Sequence, residues 1–419
     1  MDDHSSASPS PSIAHRALRR RPVVLTGLLG VASLAGCGSL SSKPRPASTD
    51  DPGTMSPTAA PEDFSTESAP AASASATPNP LDGWTLEQKV GQLLMVGADT
   101  SGPQMVSIDA VATHHVGNVF IARQTRSGAD SVRGVITALT DLVGSETTHD
   151  TPLLVATDQE GGQVQVLGGS GFSDIPSASE QAIMSTDDLT ASARTWGQEL
   201  ADVGVTMNLA PVADLVDIPD PSSNAPIGRW GREYGQSATT SQDRAIAFAR
   251  GMEAAGVIPT YKHFPGLGRV TANTDTADGV TDSITTRSGD PAVSVFAEAI
   301  TGGARVIMVS SAIYSAIDSS APATFSSVVV TDMLRGDLGF TGVVITDDVS
   351  AAVQVDAWTP AERAVQAVKA GCDIVLASAD ATMAADMAEA LIAEAQADPA
   401  FAQRVDESAT RVISLKAGS

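Results

Sequence analysis

Three short stretches of this 419-residue sequence carry side chains able to move protons or grip polar groups. They are Asp158-Gln159-Glu160-Gly161-Gly162, Lys262-His263-Phe264-Pro265-Gly266 and Thr346-Asp347-Asp348. Each follows an apolar, β-branched run, so each reads as the polar end of a strand. Carboxylates in such places serve as nucleophiles or as general acids and bases. A charged lysine or histidine beside them makes the stronger, charge-assisted hydrogen bonds. His263 has no His or Cys neighbour at metal-ligand spacing, so neither a metal nor a cofactor is expected.

The elements that must position these residues form a repeating pattern. Apolar runs at 92–96, 117–122, 153–157, 205–212, 257–263, 305–310, 342–346 and 373–377 alternate with helical segments at 127–143, 240–255, 291–302, 326–337 and 360–370. Thr359-Pro360 opens one helix, and Gly256, Gly303 and Gly371 close others. Near-continuous apolar strands imply burial on both faces, hence parallel strands covered by helices. Eight such runs predict an α/β fold, a single (β/α)8 barrel of TIM type over residues 81–419. A doubly wound open sheet is the competitor. The first strand lacks the Gly-x-Gly-x-x-Gly turn that the dinucleotide-binding version needs. In a barrel the C-terminal strand ends converge on one mouth, which brings the three polar stretches together.

The first eighty residues fit no such fold. Arg16, Arg19, Arg20 and Arg21 precede an apolar run from residue 23 to 35 that is short for a membrane span. The run ends in Leu34-Ala35-Gly36-Cys37, which looks like a bacterial lipobox. Residues 1–36 are therefore expected to be a lipoprotein signal peptide. Cys37 would be the lipidation site, giving an exported protein held on the extracytoplasmic face of the cell membrane. Residues 37–80, rich in Ser, Pro, Thr and Ala, read as a disordered tether. The other cysteine, Cys372, lies in an apolar context that suits a buried structural thiol. The net charge is −24, and loss of residues 1–36 removes four arginines and two aspartates, leaving it near −26. That balance excludes nucleic acid and electrostatic attachment to an anionic surface, so any membrane contact falls to lipid on Cys37.

Five segments occur in order that together resemble the bacterial β-N-acetylhexosaminidases of glycoside hydrolase family 3. They are Leu86-Glu87-Gln88-Lys89-Val90-Gly91-Gln92-Leu93, Asp158 to Gln165, Leu209-Ala210-Pro211-Val212-Ala213-Asp214, Lys262 to Gly266, and Thr346-Asp347-Asp348. The resemblance implies a retaining exo-glycosidase that removes terminal β-linked, N-acetylglucosamine-type sugars from cell-wall or related glycans. One carboxylate acts as nucleophile, and a second group protonates the leaving oxygen and then deprotonates water. Asp347 matches the nucleophile. Strand alternation is expected to turn Asp348 the other way. Asp158, Arg232, Lys262 and His263 match sugar-binding positions. Arg229 is an alternative to Arg232, and Glu160 is open between a sugar contact and a structural ion pair. Aromatic residues are 4% of the chain, which suits a pocket for one terminal sugar better than a long stacking cleft. Trp230 is the one aromatic expected near a sugar face, with core packing as its alternative.

The sequence departs from the family at one place that matters. Where relatives continue the strand-five motif with a second histidine, this chain has Leu267. Where they carry the Asp-Ser-His acid/base dyad, it has Asn273-Thr274-Asp275, and Ser310-Ser311-Ala312 replaces another common histidine. Asp275 is then the candidate acid/base, with Asp278 and Asp282 nearby. An aspartate serves in that role when burial or a second carboxylate raises its proton affinity. The alternatives are a catalytically weak or silent glycan-binding lipoprotein, and an active hydrolase for a different sugar.

Overall fold

The computed structural model describes residues 79–418. The expected signal peptide, Cys37 and all but the last two residues of the expected tether lie outside the described residues. Eight parallel strands form the barrel: β1 (Leu94–Asp99), β2 (Asn118–Ala122), β3 (Leu154–Thr157), β4 (Met207–Asn208), β5 (Ile258–Pro259 continuing as Tyr261–Phe264), β6 (Val306–Val309), β7 (Val343–Asp348) and β8 (Ile374–Ala377). The first piece of β5 pairs with β4 and the second with β6, while β8 returns to β1. The ring therefore closes in chain order, and the expected (β/α)8 architecture holds.

Two packed layers hold it. Inside the ring, Met95, Phe120, Leu154, Met207, Met308 and Ile345 interdigitate, joined from below by Val412 and Leu415 of the C-terminal helix Pro399–Ala417. Outside, the second faces of the strands pack on the helices. Each fully buried side chain of this size stabilises by about 1.5–3 kcal/mol, and so the strands show almost no exposed apolar position. Local signals fix several helix starts. Thr359 caps Pro360–Ala370 through a capping box with Glu362, and Gly371 ends that helix at φ 117°. The helix read at 326–337 is a π-helix over Val328–Asp337.

The register slips at two strand ends. Between β5 and β6, Tyr261 faces Ile307 but Phe264 faces Val309, so β5 holds one extra residue. Between β7 and β8, Ile345 faces Ile374 and Asp348 faces Leu376, with the same surplus. Such bulges re-aim side chains at barrel rims.

Candidate active site

Asp347 lies at the rim end of β7, in a cavity of about 480 Å³ at the barrel mouth. The bulge in β7 breaks the strand's alternation there, so Asp347 and Asp348 both line the cavity. This corrects the expectation that Asp348 points elsewhere. Their surroundings still separate them. Asp348 Oδ1 accepts from the Ser350 N–H and hydroxyl, both at 2.6 Å. Its Oδ2 accepts from Ala379 N–H at 2.8 Å and from the Ser378 hydroxyl. Asp348 is thus a tie between the loops after β7 and β8. Asp347 accepts a hydrogen bond from the Asp348 N–H at 2.9 Å. Burial pushes its carboxyl up to about 6; the charge of Asp275 adds to the rise, while His263 and Lys262 oppose it.

The bulge in β5 likewise turns both Lys262 and His263 into the cavity. Lys262 Nζ sits 2.6 Å from Asp158 Oδ1 and 2.6 Å from Glu160 Oε1. Arg232 grips Glu160 with two parallel bonds, 2.8 Å from Nε and 2.7 Å from Nη2. The network has two cations and two acids, and it is buried except where Asp158 and Arg232 reach the cavity. Burial alone would raise Glu160, but the Arg232 and Lys262 charges win and hold it down to about 2. For Lys262, burial is outweighed by Asp158 and Glu160, and its proton affinity is raised. Glu160 does not line the cavity, so its role is the structural ion pair.

His263 is oriented from behind. Its Nδ1 lies 2.7 Å from Asp214 Oδ2, and Asp214 Oδ1 accepts from the His263 N–H at 3.1 Å and the Leu267 N–H at 2.6 Å. A carboxylate only accepts, so Nδ1 carries the proton and Nε2 is left for the cavity. Asp214 ends the strand-four motif Leu209 to Asp214; a polar residue closing an apolar run was the signal for it.

Asp275 lines the cavity on its open side, with its carboxylate exposed. Asn273 Oδ1 accepts the Asp275 N–H at 2.9 Å and shapes the turn. The loop is fastened to the segment after β7. Gln354 N–H donates to Thr274 O at 3.0 Å, and Val353 N–H to Asp275 O at 3.3 Å. The buried Gln354 amide accepts from Val280 N–H at 2.8 Å and donates to Val280 O at 3.4 Å. The sequence alone gave no sign of Gln354. Of the other acids considered, Asp278 is exposed and outside the cavity lining. Asp282 is buried and committed to Ile284 N–H, Thr285 N–H and the Thr285 hydroxyl.

The six expected site residues Asp158, Arg232, Lys262, His263, Asp275 and Asp347 line this one cavity. Arg229 is exposed and outside it. Trp230 is 49% exposed, and its ring N–H donates to Ala225 O at 3.0 Å. It meets neither expectation, being neither at the cavity nor in the core. Leu267 fills the position of the missing histidine with an apolar wall. Among the described residues no group of His, Cys, Asp and Glu is arranged to hold a metal ion. Cys372 is buried, and burial pushes its thiol up to about 12.

The glycosyl hydrolase family 3 N-terminal domain matches residues 85–415. The chain belongs to that family. As a family 3 member it is a glycosidase, and its relatives carry consistent names. It is 31% identical over 300 residues to the beta-hexosaminidase LpqI of Mycobacterium tuberculosis, covering 69% of this chain and 72% of that protein. It is 36% identical over 234 residues to the beta-hexosaminidase of Psychromonas ingrahamii, covering 54% and 67%. Among solved structures, the β-N-acetylhexosaminidase of Beutenbergia cavernae aligns with a TM-score of 0.79 at 54% identity, over 80% of this chain and 98% of that one. The family 3 β-N-acetylglucosaminidase of a Paenibacillus species aligns at 0.72 and 30%, over 79% and 62%.

Proposed function

We propose that this family 3 enzyme removes a terminal β-linked sugar of N-acetylglucosamine type from cell-wall or related glycans, with retention, through a glycosyl-enzyme on Asp347. One observation carries this reading: Asp347 and Asp275 line the same cavity as the charged set that can hold a sugar ring. In the first step an Asp347 oxygen bonds to the anomeric carbon as the glycosidic C–O bond breaks, and the leaving oxygen takes the proton of Asp275. In the second step Asp275 takes a proton from water, the water oxygen bonds to the anomeric carbon, and the Asp347 ester bond breaks. Asp347 must be ionised at the start. His263 and the Lys262 ammonium favour that form against burial. Asp158, Lys262, Arg232 and His263 Nε2 present donors and acceptors in pairs, which suits neighbouring hydroxyls. The names of the relatives support the N-acetylglucosamine-type substrate.

The test is a panel of aryl β-glycosides. The N-acetylglucosaminide should be hydrolysed fastest, with activity abolished in Asp347→Ala. Measurable sugar binding without turnover on any member would instead support the silent glycan-binding alternative.

We also propose export with lipid anchoring through Cys37, from the basic, apolar and lipobox order of residues 16–37. Among the described residues no helix is long and apolar enough to cross a membrane. Cys37→Ala should move the protein from the membrane fraction to the soluble one, and unchanged fractionation would contradict the anchor.

A further inference from the structure

A second cavity of about 420 Å³ opens at the same mouth, between the loops that follow β1, β2 and β8. It shares Ser378 and Ala379 with the catalytic cavity, so the two adjoin across that short segment. We propose that this second cavity is a subsite for the sugar units on the leaving-group side of the scissile bond, so that the enzyme reads a β-linked oligosaccharide beyond its terminal unit. The proposal rests on the reading of Asp347 as the reacting carboxylate.

Ring order gives the direction. The charged set that grips the terminal sugar comes from the ends of β3 and β5 and the segment after β4, and Asp347 from β7. A leaving group directed away from that set passes over β8 toward β1, where the second cavity lies. The partition between the cavities is held still, because Asp348 accepts hydrogen bonds from both the Ser378 hydroxyl and the Ala379 N–H.

The lining chemistry suits hydroxyl and amide groups. Arg123 is fixed at one edge by its Nε, 2.9 Å from Asp99 Oδ2, while its side chain is 77% exposed. No other described residue bonds its terminal nitrogens. Its backbone sits at φ 69°, a conformation that a non-glycine residue rarely adopts. The Thr100 hydroxyl, donating to Arg123 O at 3.1 Å, holds it there. Observed strain of this kind clusters at ligand clamps. Gln104 stands at the N-cap of the helix Met105–Ala112, yet its amide makes no cap hydrogen bond and is exposed. Asp380 uses Oδ1 for Thr382 and keeps Oδ2 for another donor. The other polar cavity near the mouth, lined by Gln124, Gln163 and Asp174, shares no residue with the catalytic one.

Calorimetric titration tests this with the full chain carrying Asp347→Asn to block turnover. The ligands are free N-acetylglucosamine and its β-1,4-linked tetrasaccharide. The tetrasaccharide should bind on the order of tenfold or more tighter than the monosaccharide, as one or two charge-assisted hydrogen bonds allow. Adding Arg123→Ala, or separately Gln104→Ala, should remove most of that gain. Both side chains are exposed, so folding is preserved, and monosaccharide affinity should stay within about twofold. Equal affinity for the two ligands, or a gain untouched by both substitutions, would overturn the subsite while leaving the Asp347 reading intact. A monosaccharide that fails to bind would overturn the Asp347 reading and the subsite together.

Discussion

Asp275 and Asp347 line one cavity from different loops, and the charge of the first raises the proton affinity of the second. In the proposed reaction Asp347 is charged while Asp275 holds the proton, so the raised proton affinity of Asp347 works against the first step until the pH exceeds about 6. Burial differs between the pair: Asp347 is half-buried in the cavity, whereas Asp275 is exposed on a fastened loop.

Burial of Asp347, with a smaller addition from the charge of Asp275, sets the acid side of the pH profile. With its carboxyl raised from 3.8 to about 6, Asp347 is neutral, and a poor nucleophile, below that pH. kcat/KM on an activated aryl glycoside should fall toward acid with a midpoint near 6, and Asp275→Asn should move that limb lower. An unmoved limb would show that the two acids do not interact. The same raised affinity favours the folded state at low pH, and the benefit is lost as pH rises through about 6. Asp347→Asn should therefore raise Tm at pH 7, by thermal melting.

Asp275→Ala should lower kcat by about 10²- to 10⁴-fold on substrates with poor leaving groups. The loss in kcat/KM, which reports the first step, should be much smaller on dinitrophenyl glycosides, which leave without a proton. Added azide should restore the rate and yield a β-glycosyl azide, identifiable by mass and anomeric coupling. Rates equally depressed on all substrates, without rescue, would remove Asp275 from the acid/base role.

Glu160 shows a buried acid whose value lies in its partners. Glu160→Gln leaves Lys262 and Arg232 with a missing countercharge, and should cost about 3 kcal/mol in chemical unfolding. With its pKa lowered from 4.5 to about 2, Glu160 contributes stability above pH 4.5 that is lost as pH falls toward 2. The variant should lack that part of the acid dependence.

Gln354→Ala should act on the loop rather than on the sugar. Val280 N–H loses its acceptor, a cost of about 1–3 kcal/mol, and the loop that carries Asp275 loses its side-chain fastening. Steady-state kinetics should show a lower kcat with KM nearly unchanged. A change confined to KM would mean that Gln354 shapes the sugar pocket instead.

The ring of strands was legible because burial on both faces writes long apolar runs, and the polar stretches at 158, 262 and 347 marked the strand ends. What sequence reading missed depends on contacts between distant segments. Asp348 was expected to face away because alternation is a local rule, and the bulge that breaks it is fixed by pairing with β8. Trp230 sits beside the motif that supplies Arg232, but the short 3-10 turn Gly228–Trp230 carries it to the surface. Gln354 lies 79 residues after Asp275 in the chain, and nothing local to either announces their loops' contact. The replacement of the histidine by Leu267 was visible in sequence. That the leucine becomes a cavity wall, and that Asp275 reaches the same cavity, were properties of the folded loop.

The most direct measurement is covalent trapping with a 5-fluoro-N-acetylglucosaminyl fluoride, which slows the second step more than the first. Intact-protein mass spectrometry should show one added glycosyl unit, and peptide mapping should place it on Asp347. Steady hydrolysis of aryl glycosides with no adduct, or with the adduct on another residue, would contradict the account.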